Sequence, residues 1–330
     1  MRARSAVLGA LLLSAGASVA RGQAAPVPAA PAIEQAETLV SSTIKIYGTL
    51  ELPKEGARWP VVLIIAGSGP TDRNGNSRLL SGHNNGLKYL ADGLAAQGIA
   101  SLRYDKRAIG QSVVPNLREV DLRFDNYVDD AAGWIRQLRA DPRFSTITVM
   151  GHSEGSLVGM LAARAAAADG FVSLAGAGRP IAVVLHEQLV AQLPPDLLVR
   201  ADSIMGELSA GRTVDSVPAK LWVLFRQSVQ PYLISWFRYD PAKDLAALPI
   251  PVLVVQGTTD IQVDTTDAKR LAANDPRARL LLIDGMNHVL KMVPADRAAQ
   301  AASYGDPALP IAPKLLEAAV AYIRGLSPTP

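Results

Sequence analysis

One pentapeptide, GHSEG at residues 151–155, constrains the fold of this chain more than any other stretch. It has the pattern G-x-S-x-G and follows residues 147–150, an apolar and β-branched run that predicts a strand. The small residues of 156–168 predict a helix directly after it. Strand, sharp turn and helix form the setting of a nucleophile elbow, in which glycines flank a strained turn that exposes Ser153.

Composition limits the classes of protein to which the chain can belong. Its 330 residues are 49% apolar and 19% charged, which suits one large α/β domain with an insertion, or two small domains. A net charge of +3 without a basic stripe argues against nucleic acid as a partner. The chain has no cysteine, which excludes disulfides and a cysteine nucleophile.

The first 24 residues have the pattern of a secretory signal peptide. Arg2 and Arg4 precede an apolar segment at 6–17, and small residues at 18–20 or 22–24 offer cleavage sites. The apolar segment is shorter than the about 20 residues that span a bilayer, which argues against an anchor helix. We therefore expect an exported protein, periplasmic or secreted, with no membrane span in the mature chain.

After a flexible lead-in predicted at residues 25–38, strand-like and helix-like segments alternate along the chain. The predicted strands are residues 44–52, 60–66, 99–104, 146–150, 171–175, 251–256 and 279–283. The predicted helices are residues 85–97, 122–139, 156–168 and 313–324. This alternation predicts an α/β fold with a mostly parallel central sheet and helices on both faces.

Residues 181–248 interrupt the alternation, because they have helical patterns and no good strand. We predict that they form a helical cap inserted between two parts of one α/β core, residues 39–180 and 249–330. The aromatic residues of the insertion either pack its own core or line a pocket beneath it. They are Trp222, Phe225, Tyr232, Trp236, Phe237 and Tyr239.

A serine nucleophile needs a base, and the base needs an orienting acid. In an elbow architecture the acid and then the histidine follow the serine along the chain. Of the four histidines, His288 alone lies downstream of Ser153 in a loop after a predicted strand. His83 precedes the first helix, His186 lies in the insertion, and we expect His152 to point the other way along the turn. His288 is therefore the predicted base.

Asp260 is the predicted acid, because it comes directly after the strand at 251–256. Asp264 has the setting of a helix N-cap, and Asp284 is too close to His288 in the chain. The predicted triad thus comes from three strand ends at one edge of the sheet, where open α/β sheets bind ligands.

A tetrahedral intermediate also needs hydrogen-bond donors for its oxyanion. We predict the backbone N–H groups of Glu154, which follows the serine, and of Ser68, in the loop after residue 66. Gly67 and Gly69 do not make a dinucleotide site, because Asp72 stands where a third glycine is needed. No phosphate-binding loop or histidine-pair zinc motif is present in the sequence, so no cofactor or metal is predicted.

Three stretches, residues 66–76, 102–112 and the elbow, make the chain resemble the α/β-hydrolases, in particular their bacterial esterase and serine-aminopeptidase-like branch. The resemblance covers about residues 40–325, and the family usually has glycine where this chain has Ala108. It implies hydrolysis of an ester, thioester or amide through an acyl-serine. It also implies a structural role for the charged loop at 105–107, with its charges paired near the site.

The resemblance leaves the substrate open. Acidic residues in the insertion are too dispersed to form an obvious site for a peptide amino terminus, so we expect a small carboxylic ester of short to medium acyl chain. The alternatives are a peptidase, aminopeptidase or thioesterase of the same fold, and a catalytically silent binding protein, which an intact triad disfavours. The dispersed acidic residues are Glu187, Asp196, Asp202, Glu207 and Asp215.

Overall fold

The computed structural model describes residues 32–41, 44–114, 116–190 and 192–328. The predicted signal peptide lies outside the described residues. The strands are β1 (Ala32–Ser41), β2 (Ile44–Pro53), β3 (Trp59–Ile65), β4 (Ala100–Tyr104), β5 (Phe144–His152), β6 (Gly170–Leu174), β7 (Val252–Gly257) and β8 (Arg279–Ile283). The helices are α1 (Gly86–Ala96), α2 (Phe124–Ala140), α3 (Glu154–Ala165), α4 (Ile181–Val190), α5 (Pro195–Ser209), α6 (Trp222–Phe225), α7 (Gln230–Phe237), α8 (Pro241–Ala246), α9 (Thr265–Ala273), α10 (Arg297–Ser303) and α11 (Pro313–Arg324).

The described strands form one sheet in the order β1-β2-β4-β3-β5-β6-β7-β8. β2 pairs antiparallel with β1 and β4, whereas the pairs β4–β3, β3–β5, β5–β6, β6–β7 and β7–β8 are parallel. The predicted α/β fold with a mostly parallel sheet is confirmed. In the centre, β3 and β5 pair in register from Val61 opposite Ile147 to Ile65 opposite Gly151. This register brings the loop after β3 beside the elbow.

Both faces of the central strands are buried, as their continuous apolar runs predict. Along β3, Leu63 and Ile65 face a core shared with α2, α3 and the helices between β6 and β7. Val62 and Ile64 face a second core shared with α1 and α11. Side chains alternate across the sheet with a period of two, so one strand supplies both cores.

The segment between β6 and β7 contains α4 to α8 and one short 3₁₀ turn, Ala219–Leu221. It packs on the core through aromatic rings. Phe124 of α2 stacks on Trp236 of α7 with ring centres 5.5 Å apart and planes 10° from parallel. Tyr232 is also buried against Phe124, whereas Trp222 is 52% exposed. The helical character of this segment agrees with its sequence pattern, and its role as a separate domain stays a prediction.

The predicted lead-in at residues 25–38 is wrong in its second half, because β1 begins at Ala32 and pairs with β2 along its whole length. β1 is an edge strand that buries one residue, Leu39, and exposes polar ones such as Glu34 and Thr38. A strand this exposed shows no apolar alternation, so its sequence carries no strand pattern.

No helix in the described part of the chain is both long and apolar enough to cross a membrane.

Candidate active site

The turn between β5 and α3 has the strained backbone that the elbow pattern requires. Ser153 has φ 54° and ψ −122°, a conformation that few residues other than glycine adopt. A Cβ atom on Gly151 would lie 2.1 Å from the carbonyl oxygen of Gly155. A Cβ atom on Gly155 would lie 2.5 Å from the carbonyl oxygen of Ile65. Neither position admits a side chain, as the sequence predicts.

His288 and Asp260 are joined by a hydrogen bond of 2.8 Å between Nδ1 and Oδ2. The Asp260 carboxylate also accepts hydrogen bonds from the backbone N–H groups of Gln262 (2.8 Å) and Val263 (3.0 Å) and from Gln256 Nε2 (2.9 Å). The imidazole is 4% exposed. The carboxylate is therefore held by four donors behind a nearly buried histidine.

The charge of Asp260 follows from these contacts. Burial alone raises the pKa of the Asp260 carboxyl, but His288 and the backbone donors outweigh burial and hold that pKa below its ordinary value. Asp260 is ionised at neutral pH and keeps a proton on Nδ1 of His288. The other ring nitrogen, Nε2, is then the acceptor that a general base needs.

His152 does not point away from the site along the turn, as the sequence analysis expects. Its ring lies 4.8 Å from that of His288, centre to centre, and its Nε2 is 2.7 Å from the His288 carbonyl oxygen. Burial, and then the proximity of His288, lower the pKa of His152 to about 3. A neutral His152 thus donates to the histidine loop and connects it to the residue before Ser153. The contact joins the loops after β5 and β8, which no local pattern predicts.

The residues rejected as base or acid have other surroundings. His83 is exposed, and His186 binds Asp202 between α4 and α5 (2.6 Å). Asp264 accepts from the backbone N–H of Thr266 (2.6 Å), which confirms it as the N-cap of α9. Asp284 accepts from Thr258 Oγ1 (2.9 Å). These groups do not join Ser153, Asp260 and His288 at the site.

Ser68 and Glu154, the predicted oxyanion donors, line one pocket together with Ser153. Glu154 is the first residue of α3, where backbone N–H groups lack acceptors within the helix. A Cβ atom on Gly67 would lie 3.1 Å from Ser153 Cβ, so glycine allows the loop after β3 to approach the serine closely. The donation of both N–H groups to an oxyanion stays a prediction.

The pocket at Ser153 has about 550 Å³ of space between its atoms, part of it open to solvent, and a wall that is more apolar than polar. Trp236 is the member of the aromatic set that lines it, and Tyr232 lines a neighbouring pocket on the far side of Glu154. The remaining wall is formed by Leu157, Ala177, Arg179, Ile181, Val184, Gln188, Pro241, Gln262 and Val263.

The sequence profile of a known family, described as serine aminopeptidase S33, matches residues 80–292. That match covers well over half of the chain and includes the elbow, Asp260 and His288. The chain belongs to the serine aminopeptidase S33 family of α/β-hydrolases. The resemblance inferred from the three sequence stretches is thereby confirmed.

Similar proteins within this superfamily include esterases. Esterase EstD of Thermotoga maritima is 28% identical over 247 residues, which cover 74% of this chain and 57% of EstD. The chain thus spans little more than half the length of that curated relative. Est1E from Butyrivibrio proteoclasticus, solved with ferulic acid bound, has a TM-score of 0.57 at 17% identity and covers 87% of this chain and 96% of its own. A malate-bound thermophilic esterase from Thermogutta terrifontis has a TM-score of 0.52 at 18% identity and covers 88% and 98%. The two solved structures show the shared fold.

The charged loop of this family member pairs its charges as the resemblance implies. Asp105 accepts from the backbone N–H (2.8 Å) and the guanidinium (2.7 Å) of Arg73, and Arg107 binds Asp130 of α2. The next residue, Ala108, has φ 69°, which explains why the family usually has glycine there. Alanine keeps the turn at a cost in backbone strain.

Three carboxylates, those of Glu34, Glu51 and Asp92, lie within 4.8 Å of one another. Arg103 binds Glu34 (2.9 Å) and Glu51 (3.0 Å), and Lys88 binds Asp92 (2.7 Å). Burial raises the pKa of Glu51 to about 7. With two cations among three acids, this cluster is an ion-pair network between β1, β2 and α1.

Proposed function

We propose that this protein is a serine hydrolase that cleaves carboxylic esters of short to medium acyl chain through an acyl-serine intermediate. The observation that carries the proposal is the elbow serine, which borders a pocket and whose neighbour His152 contacts the histidine of a histidine–aspartate pair. Ser153 is presented on a strained elbow. His288 is bound to a buried Asp260. The segments of Ser68 and Glu154 border the same pocket.

In the first half-reaction, His288 Nε2 takes the proton of Ser153 Oγ as the oxygen attacks the ester carbonyl. Asp260 stabilises the imidazolium that forms. The carbonyl oxygen becomes an oxyanion and accepts from the N–H groups of Ser68 and Glu154. Loss of one such donor typically costs about 10²–10³ in kcat.

The tetrahedral intermediate then collapses to the acyl-serine. The bond between the carbonyl carbon and the alcohol oxygen breaks, and His288 gives its proton to that oxygen, so a neutral alcohol leaves. Water attacks the acyl group by the same route, with His288 again as base. The carboxylic acid departs and Ser153 recovers its proton.

The charges of the pocket support an ester over a peptide with a free amino terminus. Of the described residues that line the Ser153 pocket, Glu154 carries the only carboxylate. That carboxylate is bound to Lys106 (2.6 Å) and to the hydroxyl of Tyr232. Glu187, on the adjoining surface, is paired with Arg179. Neither of these carboxylates is therefore left unpaired to bind the ammonium group of a substrate. The similarity to EstD, an esterase by name, also supports an ester as the substrate.

We also propose that the protein is exported and acts on a small molecule rather than on nucleic acid. The signal-like pattern of residues 1–24 and the net charge of +3 support this. Fractionation of the native host should recover Ser153-dependent activity outside the cytoplasm. Recovery in the cytoplasm alone would contradict export.

The proposal is tested with nitrophenyl esters from acetate to decanoate, on the wild type, Ser153→Ala and Ser156→Ala. Ser156 is a matched control, because it lies in the first turn of α3 and its hydroxyl donates to Ser173 Oγ (2.8 Å). We expect Ser153→Ala to lose about 10⁶ in kcat and Ser156→Ala to keep most of the wild-type rate.

The chain-length optimum then measures the acyl site. Turnover of aminoacyl amides or acyl thioesters, with none of simple esters, would replace the ester proposal by the peptidase or thioesterase alternative. Absence of Ser153-dependent turnover on all three substrate classes would favour a silent binding protein.

A further inference from the structure

A buried ammonium lies between the two segments that carry the proposed oxyanion donors. Lys106, in the loop after β4, is 2% exposed. Its Nζ donates to the carbonyl oxygen of Gly67 (2.6 Å) and to Glu154 Oε2 (2.6 Å), and it lies 5.1 Å from the centre of the Tyr127 ring. A buried cation is tolerated when such partners replace water.

The carbonyl of Gly67 has a particular relation to the site. It belongs to the same planar trans peptide group as the N–H of Ser68, and in such a group the C=O and N–H bonds point in opposite directions. An ammonium fixed on that oxygen therefore fixes the direction of the Ser68 N–H on the opposite side. It also polarises the peptide, which makes the N–H a stronger donor.

The second proposed donor is tied to the same ammonium. Glu154 provides its backbone N–H toward the oxyanion, while its side chain binds Lys106. Tyr232 of α7 donates to the other carboxylate oxygen of Glu154, so that carboxylate is held from two sides. Lys106 Nζ thereby sets the distance between the loop after β3 and the start of α3.

We propose that Lys106 is a positioning residue of the oxyanion hole, which orients and polarises the Ser68 N–H through the Gly67 carbonyl and is itself held by Glu154. The inference rests on the proposed function. The inference goes beyond charge pairing in the loop, because it assigns Lys106 a share in transition-state stabilisation. The ammonium acts through peptide groups and does not touch the substrate.

The adjacent residue offers a matched control. Arg107 is also a largely buried cation of the same loop, and its guanidinium binds Asp130 of α2 at 2.9 Å and 2.6 Å. Replacement of either residue by methionine removes one buried cation and leaves one buried carboxylate without that partner. A purely structural role for Lys106 predicts similar behaviour for Lys106→Met and Arg107→Met.

The experiment measures kcat, KM and thermal midpoint for the wild type, Ser153→Ala, Lys106→Met and Arg107→Met on the best nitrophenyl ester. We expect Lys106→Met to lower kcat by about 10- to 100-fold with little change in KM, because a donor is weakened rather than removed. Its affinity for a boronic acid, which forms a tetrahedral adduct with the serine, should fall in parallel. Arg107→Met should lose thermal stability and keep its kcat.

Lys106→Gln serves if Lys106→Met does not fold, because its amide still donates to a carbonyl without carrying charge. If both variants fold, the kcat of Lys106→Gln should lie between those of the wild type and Lys106→Met. If Lys106→Met does not fold, the kcat of Lys106→Gln should still be below that of the wild type. Equal kcat in the Lys106 and Arg107 variants would overturn the inference and leave the proposed function intact. A wild type without Ser153-dependent turnover would overturn both.

Discussion

The catalytic edge of the sheet and the helices between β6 and β7 are positioned by different forces. At the edge, backbone geometry dominates: Ser153 has a positive φ, and two backbone N–H groups hold Asp260. Helices α4 to α8 are held on the core by side chains, including the stacked pair of Phe124 and Trp236. Another such contact is the hydrogen bond from Tyr232 to Glu154.

This difference has a consequence for substitutions. Backbone-defined geometry admits few residue types, so a small chemical change at the edge should abolish turnover without unfolding the protein. Side-chain packing tolerates change by degrees, so a substitution in the helices between β6 and β7 should lower the free energy of unfolding or raise KM and spare the chemical step. Four predictions probe this contrast.

Asp260→Asn should have the largest effect, a loss of about 10⁴ in kcat, because an amide no longer selects the tautomer of His288 that leaves Nε2 free. Asp264→Asn is the control, since asparagine caps a helix as well as aspartate does. Its kcat and its free energy of unfolding should stay close to wild type. Similar losses in the two variants would argue against Asp260 as the orienting acid.

Trp236→Ala should lower the free energy of unfolding by about 3–5 kcal/mol, because a buried ring that stacks on Phe124 is lost. Trp222→Ala, at a ring that is half exposed, should cost less than about 1 kcal/mol. Urea unfolding measures both. Trp236 also lines the pocket, so KM of the Trp236→Ala variant should rise while its kcat stays near the wild-type value. A large fall in kcat would show that the helices between β6 and β7 take part in the chemical step.

Tyr232→Phe should lower the free energy of unfolding by about 1.5–3 kcal/mol, because a hydrogen bond to a buried carboxylate is lost. Turnover should persist, since Lys106 still binds Glu154. Tyr239→Phe is the comparison, because its hydroxyl binds Asp125 in a more exposed place (2.6 Å) and its loss should cost less. A strong fall in kcat for Tyr232→Phe would mean that α7, and not Lys106 alone, fixes the elbow.

The fourth prediction concerns the pH dependence of stability and His152. Its pKa of about 3 in the folded protein lies below the ordinary value of 6.5, so between these values the unfolded chain binds the extra proton. Stability is therefore fully present above pH 6.5 and is lost as pH falls toward 3, by at most about 1.4 kcal/mol per pH unit. Urea unfolding at several pH values should show a shallower loss for His152→Gln. Equal slopes would contradict a buried neutral His152.

The parts of the fold that sequence analysis predicted are those encoded by neighbouring residues. The elbow glycines, the buried run of β3 and the N-cap at Asp264 each act within a few positions, so their patterns were recognisable. His288 followed from chain order in an elbow architecture. The edge strand β1 carried no alternation because one of its ten residues is buried. The contacts of Lys106 with Gly67 and Glu154 join residues 39 and 48 positions apart, which no local pattern encodes.

The place at which the helices between β6 and β7 join the sheet bears on how new specificities arise. They leave after β6 and return at β7, and these strands are neighbours in the sheet. A recombination event could thus replace the whole segment between two adjacent strand ends, while Ser153, Asp260 and His288 stay on the retained framework. Among the contacts that a donor segment would have to supply are an aromatic ring for Phe124 and a hydroxyl for Glu154, so a graft library can be limited to segments that carry both.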